Sequence, residues 1–271
     1  MALEIVKVDS VRAATAVLAA EAGARLLGGG TLVVRDVNYG GGEIDKLVVS
    51  DNLDIGGIAV AGGKATIGAA ATMAEVARHA GLAFLKPVAN SIGGPAVRAM
   101  ATVGGNLFAP YPYGDFTVAL VALNATVAVE ALDGAADVPI DTFLADRDKG
   151  RTRVVRLVAF ALPPEGSFRF VKVARKKPHG ASVISIAAVL PAKGGRITGA
   201  AVAYGAMAPT AIRARAVEKA LEGKALDAAT VAGAVKVAAE GTAPGTDPQA
   251  SAWYRTAILP VYLQRLLSGE A

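Results

Sequence analysis

Two glycine-rich stretches hold the residue types best suited to an anion. One is Leu27-Gly28-Gly29-Gly30-Thr31. The other is Ala101-Thr102-Val103-Gly104-Gly105-Asn106-Leu107. Neighbouring glycines have no Cβ to block an incoming group, so backbone N–H groups can converge on it. Thr102 adds a hydroxyl and Asn106 an amide. Asp115 follows the segment Pro110-Tyr111-Pro112-Tyr113-Gly114. Its carboxylate suits a ribose or ribityl hydroxyl, and it serves equally well as N-cap of a helix starting at Phe116. Taken as a pair, the two stretches read as halves of one diphosphate cradle. Alone, the first would be a common turn. It has neither the Gly-Lys-Ser/Thr of a P-loop nor the spacing of the Rossmann fingerprint.

Other chemically able residues are sparse. Lys172 lies in the alternating run Phe168-Arg169-Phe170-Val171-Lys172-Val173. That pattern predicts a solvent-facing strand lysine; the functional alternative is a cation beside a phosphate or a reduced flavin. His79 and His179 read as surface or satisfied core histidines. Asp133, Asp137 and Asp141 have helical spacing, but Gly134 and Pro139 argue for a loop, and no chemistry is assigned to them. No Ser/His/Asp set, His-Glu-x-x-His or metal-ligand cluster stands out. Cysteine is absent from the 271 residues, which excludes disulfides, cysteine-bound zinc and thiolate-held iron–sulfur clusters in this chain.

The net charge is +5, and ten of the basic residues fall between Arg147 and Lys177: Arg147, Lys149, Arg151, Arg153, Arg156, Arg169, Lys172, Arg175, Lys176 and Lys177. No recognition helix or interleaved aromatics accompany them, so solvated faces are expected rather than a nucleic-acid surface. The N-terminus has no basic region followed by an apolar core, and the long uncharged runs are broken by Gly and Pro. The chain therefore reads as cytoplasmic, without a membrane span.

The elements that must position these residues can be read in order. At 53% hydrophobic the chain can bury a large core. Val11, Ala14, Leu18 and Ala22 recur at helical spacing behind Ser10, with Gly23 as the stop. Short strands are expected at 25–27, 47–49, 58–60, 65–67 and 126–131, with Ala61-Gly62-Gly63-Lys64 as a hairpin turn. Helices are expected over 73–79, closed by Gly81, and over 116–123. Pro163-Pro164 is the best domain boundary. Beyond it come strand-like runs at 168–174, 182–190 and 197–204. Helical runs follow at 214–221, 230–240 and 252–267, with Pro260 in the last. Strands in a row followed by helices in a row predict an α+β layer.

These motifs, in order, resemble the FAD-binding (medium) subunit of the molybdenum hydroxylases, the xanthine dehydrogenase and carbon monoxide dehydrogenase family. The resemblance rests on Gly28 to Thr31, Ala101 to Leu107 and Asp115. It continues through Tyr204-Gly205-Ala206-Met207-Ala208-Pro209-Thr210 with Arg213 and Ala214, and ends at Ser251-Ala252-Trp253-Tyr254-Arg255. It thus covers nearly the whole chain. It implies a two-part FAD-binding domain of the vanillyl-alcohol-oxidase (PCMH) type over 1–164, with subdomains at about 1–55 and 56–164. A C-terminal α+β domain with a three-stranded sheet and helices would occupy 165–271.

By that resemblance Gly28, Gly29, Gly30 and Thr31, with Ala101, Thr102, Gly104, Gly105 and Asn106, would hold the FAD diphosphate. Asp115 would take a cofactor hydroxyl, Val158 or its neighbour would lie against the flavin or adenine, and Lys172 would sit near the cofactor. Leu32 stands where a polar residue is frequent in the family. Pro178-His179-Gly180-Ala181-Ser182 replaces the usual acidic residue or Ala-Ser pair.

The implied function is electron transfer. A small iron–sulfur subunit would deliver electrons that a large molybdopterin subunit draws from substrate, and FAD would pass them on. The assembly would be a dimer of heterotrimers. The alternatives are a stand-alone FAD-dependent oxidoreductase, which would need a base at the flavin, and a scaffold that has lost FAD.

Overall fold

The computed structural model describes residues 3–40, 44–49, 51, 53–147, 152–176 and 180–270. Lys149, Arg151, Lys177, Pro178 and His179, all weighed above, lie outside the described residues. The chain forms two compact units, one of residues 1–109 and 125–160, the other of 110–124 and 161–271.

The first unit begins with β1 (Glu4–Lys7), α1 (Val11–Ala20), β2 (Ala24–Leu27), α2 (Val33–Asn38) and β3 (Lys46–Val49). The three strands form a parallel sheet with β3 in the middle. Ser10 caps α1 by accepting the Ala13 amide at 3.1 Å. Ala14, Thr15 and Leu18 bury one stripe of the helix. The helix ends earlier than Gly23: Glu21 is the extended C-cap. Gly23 instead lies against Asp45, where a Cβ would collide with the carboxylate. Lys46, in the central strand, meets Glu4 at 3.0 Å and Glu21 at 2.6 Å. Its ammonium is held above the usual lysine range, first by the Glu21 hydrogen bond and then by Glu4.

The chain continues through β4 (Ile58–Ala61), β5 (Lys64–Gly68), α3 (Met73–Arg78), a 3-10 stretch (Ala80–Leu85), α4 (Lys86–Asn90), α5 (Pro95–Met100) and α6 (Val103–Leu107). Next comes α7 (Asp115–Ala122), which belongs to the second unit. The first unit resumes with β6 (Thr126–Ala131), β7 (Gly134–Pro139), α8 (Ile140–Asp146) and β8 (Val154–Ala161). A five-stranded sheet runs β4-β5-β8-β6-β7. The hairpin turn is where the glycines predict it, with Gly62 and Gly63 both at positive φ. Asp133 and Asp137 fall in the β6–β7 hairpin and Asp141 in α8, so their spacing never becomes one helix face.

The second unit is built from β9 (Phe168–Ala174), β10 (Ser182–Val189), β11 (Ala192–Lys193), β12 (Arg196–Ile197), β13 (Ala201–Gly205), β14 (Ile212–Arg213), α9 (Arg215–Leu221), α10 (Ala228–Lys236) and α11 (Ala252–Ser268). The expected three strands become a sheet ordered β14-β13-β10-β9. The run at 197–204 is broken: β12 pairs β11 in a separate ribbon, and Gly199 at φ 72° precedes β13.

One sheet face carries Ile184, Ile186, Val202 and Tyr204. These pack with Val217 and Leu221 of α9, Val231 and Ala234 of α10, and Leu259, Leu263, Leu266 and Leu267 of α11. Each large apolar side chain so buried contributes about 1.5–3 kcal/mol. The other face, on the side of Ser185 and Gly205, takes α7, whose Val118 reaches Gly205. Every residue of α7 is buried, as expected of a helix that is apolar nearly all round.

Candidate functional site

In the first unit the two glycine stretches lie side by side. Gly28 to Leu32 connects the C-terminal end of β2 to α2, the edge of a parallel sheet where ligands commonly bind. Ala101 and Thr102 connect α5 to α6. At Gly28 a Cβ would stand 3.1 Å from Thr102 Oγ1. At Gly29 a Cβ would fall inside the Met100 carbonyl, so only glycine permits this approach. Gly30 has φ 71°, the left-handed region that glycine adopts without strain.

The amides of the two stretches behave differently. Among the described residues, no acceptor meets the N–H groups of Gly28, Gly29, Gly30 or Thr31. Those of the second stretch are engaged within the protein. Ala101 N donates to Val97 O at 2.7 Å, Val103 N to Ala71 O at 2.9 Å, and Gly104 N to Ala69 O at 2.8 Å. Gly105 N donates to Thr102 Oγ1 at 3.0 Å, and Asn106 N to Thr102 O at 3.0 Å.

Gly104 and Gly105 therefore sit in the first turn of α6, not in an open turn. Gly104 is buried, and its Cβ position lies 2.9 Å from the Ala69 Cβ. The need for glycine at 104 comes from protein packing. Thr102 accepts from Gly105, which leaves its own hydroxyl hydrogen to donate.

Several residues that set this geometry were not singled out from sequence. Thr72 bridges Thr102 in an antiparallel contact, and Met73 N donates to Ala101 O at 2.9 Å. Thr72 and Glu75 form a capping box on α3. Glu75 accepts from the Thr72 amide at 2.7 Å and hydroxyl at 2.8 Å, and these bonds, the amide first, hold its carboxyl below the usual glutamate range. The Thr-x-x-Glu spacing was readable as such a box. Arg98 donates to Gly93 O at 2.5 Å and to Asn90 O at 3.2 Å, tying down the turn before α5. Arg147 donates to Leu107 O at 3.3 Å and Ala109 O at 3.0 Å, holding the end of α6.

Val158 is fully buried in β8, opposite Val127 of β6; its neighbour Leu157 keeps some exposure. His79 is the C-cap of α3, and among the described residues its buried Nδ1 has no hydrogen-bond partner.

In the second unit Asp115 is the first residue of α7, with Gly114 as the N-cap, so the capping alternative for its side chain fails. Its carboxylate is 5% exposed as a residue and accepts on both oxygens. Lys172 Nζ meets Oδ2 at 2.8 Å, and Ser182 Oγ donates to Oδ1 at 2.5 Å. Lys172 is thus no solvent-facing lysine: burial and a carboxylate on a neighbouring element override the alternation of its strand.

The remaining motifs of the second unit support its frame. Tyr204 is buried in the core, and burial, with the Glu218 charge adding to it, pushes its phenol far above the usual range. Glu218 receives Arg213 Nε at 2.5 Å and the Val202 amide at 2.8 Å. Ser251 caps α11 by accepting the Tyr254 amide at 3.1 Å. Arg255 is fully buried and pairs with Asp247 at 2.8 Å.

A family model for the FAD binding domain in molybdopterin dehydrogenase matches residues 1–163. A second, for the CO dehydrogenase flavoprotein C-terminal domain, matches residues 169–269. The chain belongs to this family. Among curated relatives, the xanthine dehydrogenase FAD-binding subunit of Escherichia coli O157:H7 is 29% identical over 259 residues, covering 90% of this chain and 88% of the relative. The carbon monoxide dehydrogenase medium chain of Hydrogenophaga pseudoflava is 28% identical over 198 residues, 70% of this chain and 68% of the relative. A solved carbon monoxide dehydrogenase from the same organism, lacking the Mo-pyranopterin moiety of its cofactor, superposes with TM-score 0.91 at 26% identity. It covers 99% of this chain and 96% of its own.

The chain is therefore a flavoprotein subunit of the molybdenum hydroxylase type, of oxidoreductase class. Its α+β fold is that of the family, an FAD-binding domain followed by the flavoprotein C-terminal domain. Among the described residues no helix is long and apolar enough to cross a membrane.

Proposed function

We propose that this chain holds FAD through the Gly28–Thr31 loop and serves as the electron-transfer subunit of a molybdenum-containing hydroxylase or dehydrogenase. The observation that carries the reading is the set of four adjacent amides, Gly28 to Thr31, that find no acceptor among the described residues while three of the four residues have no side chain. A diphosphate supplies the acceptors such a loop needs, and charge-assisted hydrogen bonds to it are stronger than neutral ones. The residues fit the group.

In this reading the four amides of the first loop bind the diphosphate. The second stretch, with Ala101, Gly104, Gly105 and Asn106, forms the wall that keeps the first loop in shape. Thr102 contributes its hydroxyl as a further donor. At β8 the surface offered to an aromatic ring is that of Leu157 beside Val158. In the second unit Asp115 takes a cofactor hydroxyl and Lys172 supplies a cation. Residues 1–164 serve as the FAD-binding part and 165–271 as the C-terminal part, with α7 packed on the latter's sheet. Bound FAD supplies the redox chemistry; the chain's residues bind and orient it.

Electrons come from iron–sulfur clusters of a small partner subunit, drawn in turn from a large molybdopterin subunit, and leave to an external acceptor. The complex is a dimer of heterotrimers in the cytoplasm. The test is a visible absorption spectrum of the chain purified with its co-purifying proteins, followed by iron and molybdenum analysis. Flavin bands with iron–sulfur absorption and molybdenum are expected. Flavin without either metal would instead favour a stand-alone flavoenzyme, and folded protein without flavin would overturn the assignment of the loop.

A further inference from the structure

The first residue of β10 points where a regular ladder would not send it. From Ile184 to Val189, β10 pairs β9 residue by residue, with Ser185 opposite Lys172. Before that the register shifts: Ile184 faces Val173, but Ser182 faces Ala174. Val183 is therefore one extra residue, a β-bulge.

Strand side chains alternate between faces. Without the bulge, Ser182 would share the face of Ile184 and Ile186, which belong to the apolar cluster under α9 to α11. The bulge gives Val183 to that cluster and turns Ser182 toward α7. There the hydroxyl, on a residue 1% exposed, reaches Asp115. The carbonyl of the extra residue also has a partner, since Arg255 Nε donates to Val183 O at 2.8 Å. The same guanidinium bonds Gly245 O at 2.7 Å, Ala250 O at 2.8 Å and Asp247. The C-terminal helix thereby clamps the bulge.

A carboxylate rotates broadly about its last torsion. An ammonium is a point charge with three rotatable donors and does not define the carboxylate plane. A second donor on the other oxygen does. We propose that Ser182 is a positioning residue: aimed by the Arg255-clamped bulge, it fixes the plane of the Asp115 carboxylate, so that its remaining lone pairs meet a cofactor hydroxyl in one orientation. This rests on the reading that Asp115 contacts FAD.

The experiment uses the intact complex, stripped of flavin and titrated with FAD, comparing wild type with Ser182→Ala, Asp115→Asn and Ser185→Ala. Ser185 is a control, buried in the same strand with a hydroxyl that has no partner among the described residues. The expected result is about tenfold weaker FAD binding in Ser182→Ala, the scale of losing one hydrogen bond to a charged group. The flavin midpoint potential should shift in the same direction as in Asp115→Asn, while Ser185→Ala behaves as wild type. If Asp115→Asn weakens FAD but Ser182→Ala stays within about twofold of wild type, the positioning role is refuted and the Asp115 reading stands. If Ser182→Ala and Ser185→Ala weaken binding equally, the effect is general loosening of β10 and the proposal also fails. If neither Asp115→Asn nor Ser182→Ala changes affinity or potential, the reading of Asp115 itself is wrong and this inference falls with it.

Discussion

Gly28–Thr31 and Ala101–Asn106 resemble each other in composition and differ in what their backbones do. The first stretch leaves a sheet edge and enters a short helix with four amides that have no acceptor among the described residues. The second follows a helix, pairs with the segment from Ala69 to Thr72 and starts another helix, so its amides are engaged by carbonyls and by Thr102. Glycine also serves different ends. At Gly30 it supplies a left-handed backbone; at Gly29 and Gly104 it lets two segments of the protein approach each other. A glycine pair is thus ambiguous until the partners of its amides are known. In the proposed function, the first stretch is the binding surface and the second its support.

The contrast can be broken in several ways. The largest effect is expected from Gly29→Ala, because the added methyl falls inside the Met100 carbonyl. Overpacking at a backbone contact should cost about 3 kcal/mol and abolish flavin retention, measured by urea unfolding together with the flavin-to-protein ratio. A variant as stable as wild type would mean that the stretches do not abut. Gly104→Val is expected to act the same way, through its collision with Ala69, so it tests the support and not the binding surface.

Gly28→Ala should separate the two roles. Gly28 is exposed, and among the described residues its new Cβ meets only Thr102, whose Oγ1 is 3.1 Å away. Unfolding should change by less than about 1 kcal/mol, while FAD affinity falls about tenfold, equivalent to about 1.4 kcal/mol. Equal affinity in a titration would remove this loop from the binding surface.

Thr102→Val removes the cap on Gly105 along with the free hydroxyl hydrogen. It should cost about 1 kcal/mol of stability, as loss of an N-cap does, with FAD binding weakened about threefold, the scale of a weak hydrogen bond.

The smallest effect concerns pH. The Glu75 carboxyl is held below the usual range by Thr72, so its folded pKa lies under its unfolded value, near 4.5. The stabilisation is present above the unfolded value and is lost as pH falls through the depressed folded one. Glu75→Gln should therefore lower stability by about 0.5 kcal/mol at neutral pH and make little difference in acid, seen in thermal midpoints across a pH series. A difference that grows on acidification would contradict the capping-box account.

Local signals in the sequence were reliable where a single element satisfied itself. Ser10 before an apolar period and Gly62-Gly63 between alternating runs did what local chemistry predicts. The glycine stretches were legible as a pair because their composition is unusual. The errors arose where a distant partner decided. Asp115 lost its capping role to Gly114 because Lys172 and Ser182, far along the chain, claim its carboxylate. Lys172 looked exposed because alternation reports only its own strand. Ser182 had no signal, since a bulge is a property of two strands in register and not of one.

By itself the sequence determined many of the elements, the absence of thiol chemistry, the two glycine stretches and the likeness to the flavoprotein family, because these depend on residue type and short-range spacing. Only the tertiary structure decided which amides remain without an acceptor among the described residues and that α7 packs on the sheet of the second unit. It alone decided, too, that a clamped bulge turns Ser182 onto Asp115. Each of these depends on which acceptor, face or charge is brought within hydrogen-bond distance by residues remote in the chain, and such distances are set by packing rather than by spacing in the sequence.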